Sequence, residues 1–506
     1  MVMKIFVVSF LCTLGACFSS ADAQERRYLR YVPQSSSAVL QYEQLVREGP
    51  DGTLIYEPYE NMAGPMNPTG TVNGGYTNTV PDYSKCGYRE GGVPIPFVGA
   101  VLTVTPTGLD DTAAIQGAID SLGSLTPDAE GFRGAVLLKA GDYFVSDTLN
   151  ITQDGIVIRG EGQGNGGTKI TYTKRVKSNL FKVGRDSGNP YARTGGWKDV
   201  ANFVPTGAKS FTVVTADHGW TVGDKLVMEH QPNQAWLDEM SNMTQYGWTT
   251  GGYDHLWFFT VTGVDGATIY VDLPITQPID PARYGGAHVD DYFFDLPLIQ
   301  LVGIENMQLV SEYDSTNPSD EEHGWKAILI QRTRDGWVRQ VTARYFNYAA
   351  VSIESWSSHI TVQDTAQLDP WGTRSGGRRY SFNINDAFAN LFQRCFARDG
   401  RHDFVSGSKT PGPNVWVDSV AVSASTDSGP HLKYSTGQLY DNIYMRDTNG
   451  NPGQINVRNR GDSGGDHGWS GKSSPCLEVG LPLRFLPKYT YVQLPFVFCL
   501  WKVLKS

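Results

Sequence analysis

Apolar positions change their period several times along this chain, and each change marks a new kind of element. Over "LDDTAAIQGAIDSL" the residues Ala114, Ile115, Ala118, Ile119 and Leu122 fall on one helical face, predicting a helix near residues 110–122. Asp110, Asp111 and Thr112 are good N-capping choices, so a helix cap explains the adjacent Asp pair better than catalytic carboxylates do. The period then drops to two: "GAVLLKAGDYFVSDTLNI" and "GIVIRGEG" are short β runs divided by Gly and Asp turns. From about residue 297 one strand type recurs as "IENMQLV", "WVRQVTA", "HITVQDTA", "LFQRCFA", "VWVDSVAV" and "LYDNIYM". With Val338, Ile360, Leu391, Val415 and Leu439 as markers, the steps are 22, 31, 24 and 24 residues. Coils in the low twenties with loop insertions suit a three-sided parallel β-helix, whereas a β-sandwich has no reason to recur in this way.

A second strand series lies between those markers: "RYSFNIND", "RHDFVSGS", "HLKYSTGQ" and "INVRNRGD". Taking Phe382, Phe404, Tyr434 and Val457 as inward residues gives steps of 22, 30 and 23. Alternation along each strand then points Arg379, Ser381, Asn383, Arg401, Asp403, His431, Lys433, Asn456, Arg458 and Arg460 outward. A slip of one residue exchanges Arg401 and Asp403 for His402. Since neighbouring coils lie roughly 4.8 Å apart, three or four of them spread these cations over about 10–15 Å, the scale of two or three sugar rings. An ordinary polar outer face of a solenoid is the plainer alternative. Several cations on one face repel one another, however, which lowers stability unless an anionic partner is present.

The remaining chain divides as follows. Residues 1–23 read as a secretory signal, with Lys4, an apolar run and the small residues Ala21 and Ala23 at a cleavage site. Residues 24–98, rich in Tyr, Pro, Gly and Asn, read as an extended arm laid over the body. The capping helix and first coils occupy 99–175, an inserted small β module 176–296, and the main β-helix with the candidate site 297–470. His218, His230, His255 and His288 fall in the module without metal-ligand spacing and read as surface or structural residues. The tail, 471–506, has neither coil periodicity nor Gly turns, as an incorrect or alternatively spliced terminus would have.

Composition narrows the function classes. In 506 residues, 40% apolar and 19% charged, a globular protein is expected, and 56 glycines favour many tight turns. The net charge of −10 argues against a nucleic-acid binder, but a local basic groove can still take an anionic ligand. Without its signal the chain keeps Cys86, Cys395, Cys476 and Cys499, too few for a disulfide scaffold, and Cys395 reads as a buried apolar thiol. No CxxC or HExxH pattern points to zinc. Asp403, Asp427, Asp462 and Asp466 offer oxygen ligands for Ca²⁺, but no loop has EF-hand spacing, so a metal requirement is left open. Asn150-Ile-Thr and Asn242-Met-Thr are glycosylation sequons.

The stretches "DDTAAIQGAID", "GAVLLKAGDYFVSDTLNI" and "GIVIRGEG", preceded by "PDYSKCGYREGGVPIP", resemble the pectate-lyase-like superfamily. "SGPHLKYSTGQLYDN" followed by "NVRNRGDSGGDHGW" is similar to a C-terminal motif block of its secreted members, with Leu432 and Lys433 where relatives often carry a second histidine and an aromatic. The resemblance implies an all-β fold, a right-handed parallel β-helix, and a secreted carbohydrate-active protein. Its architecture is shared by lyases, hydrolases and binding proteins. A polysaccharide lyase acting on an acidic, uronate-containing glycan is the first expectation. His431, Lys433, Tyr434 or His402 would supply acid–base chemistry, and Arg379, Arg401, Arg458, Arg460 and His467 would hold substrate. A glycoside hydrolase would instead need carboxylates facing one groove, from Asp364, Asp369, Asp399, Asp403 and Asp418. A non-catalytic glycan-binding or matrix protein would use the 12 tryptophans and many tyrosines. No nucleic acid and no membrane partner are expected.

Overall fold

A computed structural model describes residues 80–185, 192–293 and 298–472, with the backbone of a few short strand segments before them. The expected signal peptide, the arm before residue 80 and the tail beyond residue 472 lie outside the described residues, as do Cys476 and Cys499.

Successive coils stack by parallel pairing on three faces, making a parallel β-helix. The first face includes Gly134–Leu138, Ile156–Arg159, Thr361–Gln363 and Asn390–Gln393, and the second includes Gly141–Val145, Thr168–Tyr172, Ala366–Leu368 and Phe396–Arg398. Longer strands such as Asn414–Ala424 and Gln438–Asp447 run over both. They bend where Asn306, Gln340, Asp364, Arg394, Asp418 and Asn442 take φ of 50–67° in successive coils. Asp and Asn tolerate that left-handed conformation better than most residues, so a run that reads as one strand turns a corner at its polar residue. The helix period expected at 110–122 is the helix Thr112–Gly123, which buries Ile115, Ile119 and Leu122 over the open end of the coil. The Asp pair is structural: Asp110 accepts from the Thr112 amide at 3.0 Å, while Asp111 accepts from the Thr107 hydroxyl at 2.7 Å and the Phe144 amide at 3.3 Å.

On the first face Leu391, Val415 and Leu439 are direct partners, as their spacing predicts. Val338 instead pairs with Val362, so the marker Ile360 is two residues early. The true inward series runs Val338, Val362, Phe392, Trp416, Tyr440, with Phe392 and Trp416 stacked at 5.8 Å and Trp416 and Tyr440 at 4.8 Å. Cys395 is buried in the same core, as expected.

Ser178–Val183 pairs with Leu149–Ile151 and Gly324–Gln331, so the coil continues past the expected module boundary at 176. The module's described strands run from Ala192–Arg193 to Ala287–Phe293 in an antiparallel sheet. Its core continues into the solenoid, where Phe258 stacks on Phe388 at 5.5 Å. His230 and His255 are buried, His218 stacks on Trp220, and His288 bonds Gln231, all structural roles. Residues 80–98 lie against the first face: the Tyr88 amide donates to Thr361 Oγ1 at 2.8 Å and its ring meets Trp337 edge-on at 5.2 Å. Among the described residues no helix is long and apolar enough to cross a membrane.

Candidate functional site

The third face carries Gly324–Gln331, Ala349–Glu354, Phe382–Asn385, Phe404–Ser406 and Gly429–Pro430. Phe382 and Phe404 are partners there, stacked at 5.9 Å. Beyond them the expected register fails. Val405 pairs with Gly429, so Ser428 rather than Tyr434 follows Phe404, and Ser428 bridges Ile455 rather than Val457. The cause is local: the chain reaches Gly429 at φ +115°, and a Cβ there would sit 2.6 Å from the Asn456 carbonyl oxygen. Only a two-residue strand fits before the chain leaves the coil through Lys433 and Tyr434, at φ of 51° and 72°.

Tyr434 therefore stands outside the ladder. Its buried ring packs edge-on to Trp236 at 5.0 Å and His255 at 5.2 Å, and burial pushes its phenol well above the ordinary value. It is not placed to protonate a leaving group at the His431 cluster. Arg379 is committed to the scaffold, bonding the Asp399 carboxylate at 3.2 Å and the Gly372 carbonyl at 2.8 Å. Asp403 accepts from Ser381 at 2.6 Å in full burial, which pushes its carboxyl up to about 7. Arg379 and Asp403 thus work as internal braces.

What does converge is a group of imidazoles around one phenol. His431 Nε2 lies 3.1 Å from the Tyr380 hydroxyl and 3.3 Å from His467 Nε2. The His402 ring is 4.4 Å from His431 and 5.3 Å from Tyr380, centroid to centroid. Behind His402 stands Asp427, whose carboxylate is 3.3 Å from His402 Nδ1 and receives Arg460 at 2.8 Å, Arg458 at 3.3 Å and Asn456 at 2.7 Å. Nδ1 facing Asp427 assigns the proton of His402 to that nitrogen and leaves Nε2 as the free lone pair. His402 Nε2, His431 Nδ1 and His467 Nδ1 are buried without hydrogen-bond partners.

The electrostatics favour neutral imidazoles. Burial, then the charges of His402 and Arg460, pushes His431 down to about 2. Burial also lowers His402, against the pull of Asp427, and lowers His467, helped by Arg460 and Lys433. Burial works to raise Asp427, but the bond from His402 and the Arg460 charge outweigh it and hold the carboxyl well below the usual range. Burial raises Tyr380, opposed by Arg401. Arg401 is half-buried and bonds the Gly376 carbonyl; Arg458 is the more open, with 56% of its side chain exposed. Lys433 anchors the same corner, its amide donating to the His467 carbonyl at 3.0 Å.

Tyr380 is the residue that sequence reasoning missed. It lies two positions before Phe382, so strict alternation would point it inward, yet the strand begins only at Phe382. His402 stands in the same relation to Phe404. Once Phe382 and Phe404 are paired, the shared offset is the signal that places Tyr380 and His402 side by side.

The carboxylates do not assemble in the same way. Asp364 pairs with Arg394, Asp369 with Arg398, Asp399 with Arg374, and Asp418 accepts from Asn442. Asp462 and Asp466 lie exposed on the hairpin that carries His467, apart from buried Asp403. Among the described residues no three His, Cys, Asp or Glu side chains are arranged to hold a metal ion.

No family model matches the chain. No curated protein matches it. Among solved structures it is similar to the tailspike protein gp49 from Pseudomonas phage LKA1, at 14% identity over 67% of this chain and 55% of that one, with a TM-score of 0.38. It is also similar to the catalytic domain of a GH87 α-1,3-glucanase in complex with nigerose, at 12% identity over 78% of this chain and 47% of that one, TM-score 0.39. A third is an iota-carrageenase complexed to iota-carrageenan fragments, at 9% identity over 72% and 57%, TM-score 0.34. The chain thus spans about half the length of these proteins. The fold itself rests on the strand pairings above.

Proposed function

We propose that the protein is a secreted polysaccharide lyase of the pectate-lyase-like kind, cleaving a uronate-containing glycan by β-elimination. The observation that supports this reading is geometric: His431 Nε2 lies 3.1 Å from the Tyr380 hydroxyl, beside His402. In β-elimination a base removes the proton beside the substrate carboxylate. The freed electron pair forms a C=C bond, the glycosidic C–O bond breaks, and the departing oxygen takes a proton from an acid. A neutral imidazole suits the first task, and a phenol hydrogen-bonded to it suits the second. His402, oriented by Asp427, and His431 are the candidate bases, and Tyr380 replaces Tyr434 as the candidate acid. Arg458 and Arg401 offer guanidinium groups to the substrate carboxylate, where negative charge builds in the transition state. Arg460 holds Asp427, neutral His467 lies against His431, and Lys433 adds a cation to the rim.

The test is a panel of purified polyuronates incubated with the mature protein, with and without Ca²⁺, followed by ultraviolet absorbance of the unsaturated product. Absorbance that rises with new reducing ends supports elimination. Reducing ends without absorbance mean hydrolysis, and neither signal leaves a binding protein. Hydrolysis has one observation of its own in favour: burial, and the nearby Glu354 charge, push Asp386 up to about 6, against the charge of Lys409. Glu354 is tied to Lys326 at 2.5 Å. A carboxyl with a raised pKa is what a glycosidase uses as its general acid.

A further inference from the structure

His467 reaches His431 from a glycine-rich hairpin closed by the Arg460 amide on the Gly468 carbonyl at 2.7 Å and the Gly468 amide on the Gly461 carbonyl at 2.8 Å. Gly461, Gly464, Gly465, Asp466 and Gly468 all have φ between 55° and 83°. Glycine-rich backbone has the most conformational freedom to lose, so contacts from outside add to these bonds in fixing the segment. Several of those contacts come from the inserted module. The buried indole of Trp248 donates from Nε1 to the Asp466 carbonyl at 3.1 Å. Gly468 lies so close to the same ring that a Cβ would come within 2.6 Å of it. Trp248 is in turn fixed by stacking on Tyr253 at 4.0 Å. It also meets Tyr434 edge-on at 6.4 Å, next to Lys433, whose amide holds the His467 carbonyl at 3.0 Å.

We infer that the module is a working part of the site: Trp248 is a positioning residue that, through the hairpin 459–469, holds His467 against His431. The kinetic arm of its test rests on the acid–base reading above, while the other two arms do not. Trp248→Phe keeps an aromatic ring over Tyr253 and removes the N–H donor. Gly468→Ala approaches from the other side, placing a methyl group against the indole. If Trp248 positions the hairpin, amide hydrogen exchange of residues 461–469 accelerates at least tenfold in both variants, while the coil around residues 390–398 is unchanged.

The His467 imidazole, followed by NMR in histidine-labelled protein, reports the same event. In the intact site it faces His431, His402, Arg460 and Lys433, with Asp462 and Asp466 on its own hairpin, and its midpoint lies below the ordinary value. Release from burial and from the two cations moves that midpoint up toward about 6.5. On a substrate identified by the panel, each variant lowers turnover toward the level of His467→Ala, and Trp248→Phe with His467→Ala is no worse than His467→Ala alone. Unchanged exchange and an unchanged titration would reduce Trp248 to a core residue of the module, whatever the protein acts on. Losses that add in the double variant would show that Trp248 works through some other group.

Discussion

Tyr380 and His431 come from different coils, yet their side chains meet at 3.1 Å between the phenol oxygen and Nε2. Neither strand alone would produce that contact; it requires the stacking of Phe382 on Phe404 and the early exit of the chain after Pro430. Tyr380→Phe keeps the ring and its packing and removes the hydroxyl. If that proton serves the leaving oxygen, turnover falls by about 10²-fold or more. Stability changes by only about 1 kcal/mol, the usual worth of one hydrogen bond. Steady-state kinetics with a thermal melt checks both, and near-wild-type turnover would remove Tyr380 from the mechanism.

Arg458 and Arg460 share Asp427 but differ in burial, so their losses separate. Arg458 has 56% of its side chain exposed, and Arg458→Ala should raise KM with little effect on turnover or melting. Arg460 has 8% exposed, and Arg460→Ala removes a buried partner from Asp427, lowering stability by roughly 3 kcal/mol. Equal melting temperatures for the two variants would contradict this division.

The repeat of the first face was legible because Leu391, Val415 and Leu439 sit in coils of constant length, and the capping helix because its apolar face is unbroken. Alternation failed at the candidate site for a physical reason: Tyr380 and His402 precede their strands, and His431 follows one of two residues. The period-two rule holds inside a strand and says nothing about the turn beside it. His431, His402, His467, Arg401, Arg458 and Arg460 were legible as a polar group, though not their partners. Tyr434 was misplaced because a spacing of 30 residues looked like one coil with an insertion. Burial of Arg379 was invisible, since it depends on Asp399 and Gly372 from neighbouring turns.

Stability should fall steeply with acid. Burial holds His230 and His359 down to about 3, His431 to about 2, and His255 well below its ordinary value. Below about pH 6.5 the unfolded chain protonates these groups and the folded chain does not, so stability is present above that pH and lost as pH falls. Asp403 and Asp386, raised to about 7 and about 6, act in the opposite sense above about pH 4 because the folded state keeps their protons. His359 is buried with neither ring nitrogen hydrogen-bonded, which makes it the cleanest probe. His359→Leu should flatten the slope by about 1.4 kcal/mol per pH unit, read from denaturant midpoints between pH 7 and 5. An unaltered slope would mean that His359 does not stay neutral in the folded protein.

Asp427 carries the sharpest prediction, because removing its charge while keeping its shape acts on two groups with opposite readouts. Its carboxylate orients His402 from 3.3 Å and neutralises Arg460 at 2.8 Å. In Asp427→Asn, Arg460 keeps its burial but loses its counter-charge, so the protein should be less stable by roughly 3 kcal/mol. The Asp427 backbone carbonyl, 2.5 Å from His402 Nδ1, still accepts the proton there in the variant, so what His402 loses is the negative charge that supports it as a base. Turnover should then fall by about 10²-fold or more. The pH profile separates this from simple loosening of the fold. Asp427 raises the His402 pKa against burial, so losing the negative charge lowers it further. The acid limb of the residual activity should therefore move to lower pH, whereas exposure of His402 by local unfolding would move it up toward about 6.5. Lower stability with unchanged turnover and an unmoved acid limb would make Asp427 a brace for the last coils and leave the acid–base work to Tyr380 and His431.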